Sequence, residues 1–167
     1  ENFWARHILH CLSLLFKVEI PEGARVLDLG TGGGLPGMII KIVRRDISFT
    51  LLDSTQKKIN VVNDIIGSLN LTDIRGVWGR AEDLGTTPEH GRQYDIVVAR
   101  AVAPLKDLAL WAHPFLRRGK AGANNRLEAS TSKKVVTDST LLAFKGGDLE
   151  NEINQLRVVP NIASTSI

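Results

Sequence analysis

A mostly parallel β-sheet with helices on both faces is the α/β architecture this sequence predicts. Three observations lead there. Short aliphatic runs alternate with helix-period segments along the chain. A glycine-rich stretch, "GTGGGLPG", directly follows the first strong aliphatic run. The chain has 167 residues of which 43% are apolar, enough to bury the core of one compact domain.

Taken in order, Asn2 to Phe16 places Phe3, Ile8, Leu12, Leu15 and Phe16 near helical spacing, and "HILHCLSLLF" is expected to be a buried helix face. Pro21 and Gly23 mark a turn in "VEIPEG". "RVLDL" is the first main strand, and Pro36 suits the first turn of a helix running through "MIIKIVRR" to about Asp46. "SFTLLDS" is the next strand. "QKKINVVNDIIGSLNL" is a helix with Ile59, Val62, Ile65, Ile66 and Leu69 on its apolar face. "IRGVWG" and "YDIVVARA" are strands, with Trp78 expected to fill core. "PLKDLALWAHPFLRRG" is a helix closed by Gly119 and bent at Pro114, with Trp111 as packing. "TLLAFKGG" is the last strand and "DLENEINQL" a short helix. Residues 120–138 are polar and aperiodic and are expected to form a mobile insertion. The organisation is thus a helical segment over 1–20 leading into one domain over 21–167.

Bulk properties narrow the function. No run approaches the roughly 18 apolar residues of a membrane span. The charge of +3 permits nucleic-acid binding without requiring it. Cys11 is the one cysteine, so no internal disulfide is expected, in keeping with a reducing compartment. The four histidines form no constellation, and HExxH and GxSxG are absent, so neither a metal site nor hydrolase chemistry is expected.

The glycine loop fits two patterns. Gly30, Gly32 and Gly34, preceded by Asp28, give the GxGxG of S-adenosyl-L-methionine-dependent methyltransferases, whereas Gly32, Gly34 and Gly37 fit the dinucleotide GxGxxG. In both, glycine lets backbone approach a ligand, and Asp53 at the end of the second strand can accept ribose hydroxyls. Asp53 also suits a helix N-terminus by charge alone. A methyltransferase is favoured because the chain has no room for a second substrate domain. "GRAEDL" also follows the third strand, where a polar residue such as Glu82 can lie near adenine. Arg100 ends an apolar strand at the edge where ligands bind, and a buried guanidinium there needs a partner. The fold expectation is therefore a Rossmann-like class I methyltransferase domain.

The motifs "VLDLGTGGGLPG", "TLLDSTQKK", "GRAEDL", "YDIVVARAVAPL" and "LLAFKGGDLENEI", with "ARHILHCLSLL" upstream, resemble the RsmG/GidB family. Its members are methyltransferases acting on guanine N7 of small-subunit (16S) ribosomal RNA. The resemblance covers Arg6 to Leu156. It implies cofactor contacts at Gly30, Gly32 and Leu35, ribose contacts at Asp53 and Ser54, and adenine contacts at Ala81 and Glu82. It places Arg100 on the substrate side of the pocket, in reach of cofactor as well as substrate, and Lys145, in "KG", at the mouth of the site as a substrate contact. His10 and Cys11 stand where the family has Asp and Ser. The insertion at 120–138 departs from the pattern, and most of the N-terminal helical portion and the final strands are not represented.

The resemblance implies ribosomal RNA or the small subunit as partner, a cytoplasmic location (or an organelle behind a transit peptide) and a monomer. Guanine N7 carries a free lone pair, so no general base is expected. Arg44, Arg45, Arg117, Arg118, Lys133, Lys134 and Lys145 are available as a basic patch round the crevice. A methyltransferase of a small molecule or protein, a non-catalytic nucleotide-binding module and a nicotinamide oxidoreductase are the competing readings.

Overall fold

The computed structural model describes residues 2–100, 102–117, 134–136, 139–146 and 149–156. A wide helical stretch with π-type bonding, Trp4–Leu9, runs into α1 (His10–Lys17), followed by β1 (Val18–Glu19). The core then alternates β2 (Arg25–Leu29), α2 (Gly37–Val43), β3 (Ser48–Asp53), α3 (Gln56–Ser68), β4 (Ile74–Trp78), α4 (Ala81–Leu84), β5 (Ile96–Arg100) and α5 (Leu105–Ala112). β6 (Lys134–Val135), β7 (Thr140–Phe144) and α6 (Glu150–Leu156) follow.

Five strands pair in parallel in the order β4-β3-β2-β5-β7. The chain winds outward from β2 to β4 and then returns to lay β5 on the other side of β2. That reversal makes the carboxyl ends of β2 and β5 the crevice where open α/β sheets bind ligands. Because strand side chains alternate between faces, Val26, Phe49, Leu51, Ile96 and Val98 pack on one side with Met38, Ile40, Val62 and Ile66 from α2 and α3. Leu27, Leu29, Leu52, Val97 and Ala99 pack on the other with Leu108, Ala112 and Phe115. Both faces are covered, so the strands are mostly apolar. Lys41 is buried, and its ammonium donates to the carbonyls of Arg45 (2.9 Å) and Ile47 (2.7 Å), closing the turn from α2 into β3.

Several expectations need correction. The expected buried face of the first helix is only partly realised: Cys11 is buried and Ile8, Leu12 and Leu15 are half-buried, but Phe3, Trp4, Leu9 and Phe16 are exposed. α2 stops at Val43, where Arg44 leaves helical geometry and its side chain is held by Asp46 and the Ile20 carbonyl. α5 ends at Ala112 rather than near Gly119, because Pro114 would clash with the preceding turn. Within the segment expected to be a mobile insertion, Lys134 and Val135 pair in parallel with β1 and Val136 is buried in the core. Residues 118–133 and 137–138 lie outside the described residues.

Candidate functional site

The loop after β2 is bound to its neighbour strand: the N–H groups of Gly30 and Thr31 donate to the Leu52 carbonyl at 2.8 and 2.9 Å. Gly30 and Gly32 both adopt left-handed backbone, at φ 71° and 57°. They differ in surroundings. A Cβ on Gly30 would lie 2.7 Å from a Val102 methyl, whereas one on Gly32 would meet nothing within 4 Å. Gly32 therefore presents bare backbone to open space, where a ligand can approach. A Cβ on Gly34 would strike the Met38 side chain at 2.9 Å, so that glycine serves helix packing.

Beneath the loop sits Asp28, fully buried. Its Oδ2 accepts from the Thr31 hydroxyl (2.7 Å) and the Gly37 N–H (2.8 Å), fixing the loop against the start of α2. Its Oδ1 has no partner, alone in this among the buried side-chain polar atoms of the described residues. Burial raises the Asp28 pKa to about 6, against the hydrogen bonds from Thr31 and Gly37 and the attraction of Arg100.

Asp53 ends β3 beside the loop and is buried. Its Oδ2 accepts from Gly32 N–H at 3.0 Å, its Oδ1 accepts from Thr55 N–H at 2.8 Å, and Lys58 lies 3.7 Å away. The expected ribose acceptor thus also shapes the glycine loop. Ser54 is exposed, and its carbonyl accepts from the indole Nε1–H of Trp78 at 3.1 Å. Trp78 is 57% exposed, which corrects the expectation that it fills core. Parallel register places it opposite Asp53, at the carboxyl edge of the sheet. Trp111 packs against the second core cluster as expected. Ala81 and Glu82 open α4 just after this edge, Ala81 against the core and Glu82 exposed. Leu35 is half-buried within the loop.

Arg100, at the end of β5, does find partners, and sequence reasoning missed them. Its Nη2 donates to His7 Nδ1 at 2.8 Å and its Nη1 to Cys11 Sγ at 3.4 Å. Burial pushes the Cys11 thiol pKa up, and Arg100 pulls against that rise. A signal existed in the sequence: His7, His10 and Cys11 share the i, i+3, i+4 spacing of one helical face, and Arg100 was short of a partner. Lys145 follows β7, and its ammonium lies 2.8 Å from Glu152 Oε2 and donates to the Ala103 carbonyl at 3.0 Å. Glu152 also accepts from Leu105 N–H at 2.8 Å, so Lys145 ties α6 to the start of α5.

The structure therefore gathers Gly30, Gly32, Asp53 and Arg100, with Trp78, along one edge of the sheet. Of the expected basic residues it places Lys145 beyond the carboxyl end of β7, on that edge, but sets Arg44 and Arg117 elsewhere. Arg44 is held beside Asp46, ahead of β3, and Arg117 pairs with Asp95 at 2.7 Å, ahead of β5. Both lie at the amino edge of the strands, opposite the glycine loop. Arg118 and Lys133 lie outside the described residues.

A parallel sheet reversing at β2, with a left-handed glycine loop and an acidic residue closing the next strand, defines a Rossmann-like α/β domain. Solved structures agree on the fold: the YcgJ protein from Bacillus subtilis superposes with a TM-score of 0.52 at 22% identity, over 65% of this chain and 45% of that one. The cyclase SpnF does so with 0.53 at 15% identity, over 75% and 50%. Sequence goes further. A family model described as GidB, rRNA small subunit methyltransferase G, matches residues 1–123, and the chain belongs to that family. A ribosomal RNA small subunit methyltransferase G from Clostridium botulinum (strain Loch Maree / Type A3) is 44% identical over 92% of this chain. One from Moorella thermoacetica is 35% identical over 92% of it. The chain spans 64% and 56% of the lengths of those two relatives. Among the described residues, no helix is long and apolar enough to cross a membrane.

Proposed function

We propose that this chain binds S-adenosyl-L-methionine and carries out methylation of guanine N7 in small-subunit ribosomal RNA. The observation that carries the reading is the coupling of Gly32 and Asp53, which presents bare backbone and a carboxylate side by side at the switch point of the sheet. Family membership supplies the substrate class; the fold does not, since a cyclase shares it.

The residues fit that cofactor. Backbone at Gly32, open on its Cβ side, admits a ligand that any side chain would block. Asp53, beside it, accepts ribose hydroxyls, with Ser54 adjacent and Ala81, Glu82 and Trp78 along the adenine side. Gly30, Gly34 and Leu35 hold the loop's shape. The unpartnered Asp28 oxygen beneath the loop leaves one negative or acceptor atom to be satisfied by a cationic or donor group.

Bound S-adenosyl-L-methionine supplies an electrophilic methyl group on a sulfonium. The chain's own task would then be alignment: holding the purine nitrogen within about 3 Å of the carbon to be transferred. Guanine N7 presents its lone pair on the major-groove edge, so no residue has to remove a proton. Arg100 offers N–H donors to oxygens of the incoming nucleotide. The reading places the chain where ribosomal subunits are made, in the cytoplasm or in an organelle, acting as a monomer.

The test is to incubate the protein and S-adenosyl-L-methionine with small subunits lacking the modification and to follow guanine methylation by primer extension or mass. Appearance of one N7-methylguanine is expected. Its absence from every subunit preparation, with cofactor binding intact, would overturn the substrate assignment.

A further inference from the structure

A guanidinium that ends a buried strand is expected to meet a carboxylate, because an unopposed charge in a protected site is costly. Arg100 does not. Among the described residues no Asp or Glu lies within ion-pair distance of it, and Asp28 attracts it only at longer range. Its contacts are two neutral acceptors, His7 Nδ1 and Cys11 Sγ. Guanidinium has donors only, so the His7 nitrogen facing it carries a bare lone pair and the ring's proton sits on Nε2. Neutral acceptors fix a cation's position without cancelling its charge. The further N–H groups of the fork have no partner among the described residues.

Both acceptors come from outside the sheet. His7 lies in the π-type stretch Trp4–Leu9, and Cys11 lies one turn on in α1. His10, between them in sequence, places its ring 5.5 Å from that of Phe144, the residue paired with Arg100 across β5 and β7. One face of the N-terminal helix is thus applied to the crevice end of two strands. Wide helical turns often occur at functional sites, and here the turn carries the residue that reaches Arg100.

We propose that His7 is a positioning residue: it holds the Arg100 guanidinium in place and leaves its charge free for an electron-rich oxygen of the incoming guanine nucleotide. The proposal rests on the reading of the function given above and adds a residue to it. It also gives the N-terminal helix a role in substrate handling.

A double-mutant cycle tests it. His7→Ala is expected to lower kcat/KM for unmethylated small subunits roughly tenfold or more, the scale of a hydrogen bond to a charged group. His7→Asn, whose amide oxygen stands where Nδ1 stood, is expected to restore most of that loss. In an Arg100→Ala background His7→Ala should add little, because the two residues act as a unit. The cycle is repeated on affinity for S-adenosylhomocysteine, where no coupling is expected.

Independent losses that multiply, or full activity in His7→Ala, would overturn the proposal. Coupling seen only in S-adenosylhomocysteine affinity would overturn the assignment of the guanidinium to the nucleotide. Nitrogen-15 NMR of histidine-labelled protein reads the contact without turnover. A His7 ring protonated on Nε2 with Nδ1 bare is expected, and the opposite tautomer would refute the contact. If the unaltered chain methylates no subunit, the proposed function falls while the spectrum still decides the contact.

Discussion

The N–H of Gly32 donates to Asp53 Oδ2 at 3.0 Å, joining positions 21 residues apart in sequence. The same carboxylate reaches Thr55 N–H through its other oxygen. A single buried side chain therefore sets the shape of the glycine loop and the start of α3 together. Asp53→Ala removes both acceptors and is expected to weaken S-adenosylhomocysteine binding at least tenfold in calorimetric titration. Lys58→Ala removes only an exposed ion pair at 3.7 Å, and a change of less than about fivefold is expected. Equal affinities for Asp53→Ala and the parent protein would refute the role of Asp53.

Asp28 predicts a pH dependence of stability. Its folded pKa is raised by burial to about 6 from the ordinary carboxyl value of 3.8. The protonated form is therefore favoured in the folded state. The sign follows: its contribution is most favourable below about pH 4 and is lost as pH rises through about 6. The full span is on the order of 3 kcal/mol. Asp28→Asn cannot ionise. Urea denaturation from about pH 4 to 7 should show the variant gaining stability relative to the parent as pH rises, with most of the change complete by about pH 6. A flat difference across the range would contradict the protonation state assigned to the buried carboxyl.

Gly30 and Gly32 should separate folding from binding. Alanine at either position must adopt a left-handed conformation, at a cost of about 1–2 kcal/mol. Gly30→Ala also drives its methyl against Val102, so a further loss of about 1–3 kcal/mol is expected from overpacking. Gly32→Ala meets no protein atom and should lower the melting temperature less, yet abolish measurable S-adenosylhomocysteine binding. The comparison is thermal unfolding alongside calorimetry. Intact binding by Gly32→Ala would show that the open face of the loop is not where the ligand lies.

Trp78 should report on the site. Its indole is exposed, tethered to the Ser54 carbonyl and opposite Asp53. An aromatic ring at that edge offers an apolar face to an adenine. Adding S-adenosylhomocysteine is expected to change tryptophan emission, and Trp78→Phe to remove most of that change while Trp4 and Trp111 remain. An unaltered response in Trp78→Phe would place the ligand elsewhere.

Much of this molecule was legible from residue order alone. The alternation of apolar runs and helical patterns implied a parallel sheet covered on both sides, because strands buried on two faces are mostly apolar, as β2 and β5 are apart from Arg25, Asp28 and Arg100. The spacing of Gly30, Gly32 and Gly34 marked the tight loop after β2, because glycine enters left-handed backbone at the least steric cost. Asp53 and Arg100 were marked by position at strand ends. These are local or periodic properties, and a chain carries them in sequence.

What the tertiary structure decided is which groups meet across long separations. Asp53 and Gly32 were each singled out, but only the pairing of β2 with β3 makes one the acceptor of the other. Trp78 looked like core because large apolar residues usually are, and its place at the sheet's edge exposes it instead. Arg44 and Arg117 looked like an RNA-binding patch until the fold set them at the opposite end from the loop. His7 and Arg100 lie 93 residues apart, and no periodicity links them. Sequence by itself determined the alternation of strands and helices and the glycine loop, which depend on each residue and its near neighbours. The partners of the buried polar groups were decided only by the folding of the whole chain, because a hydrogen bond depends on distance in space.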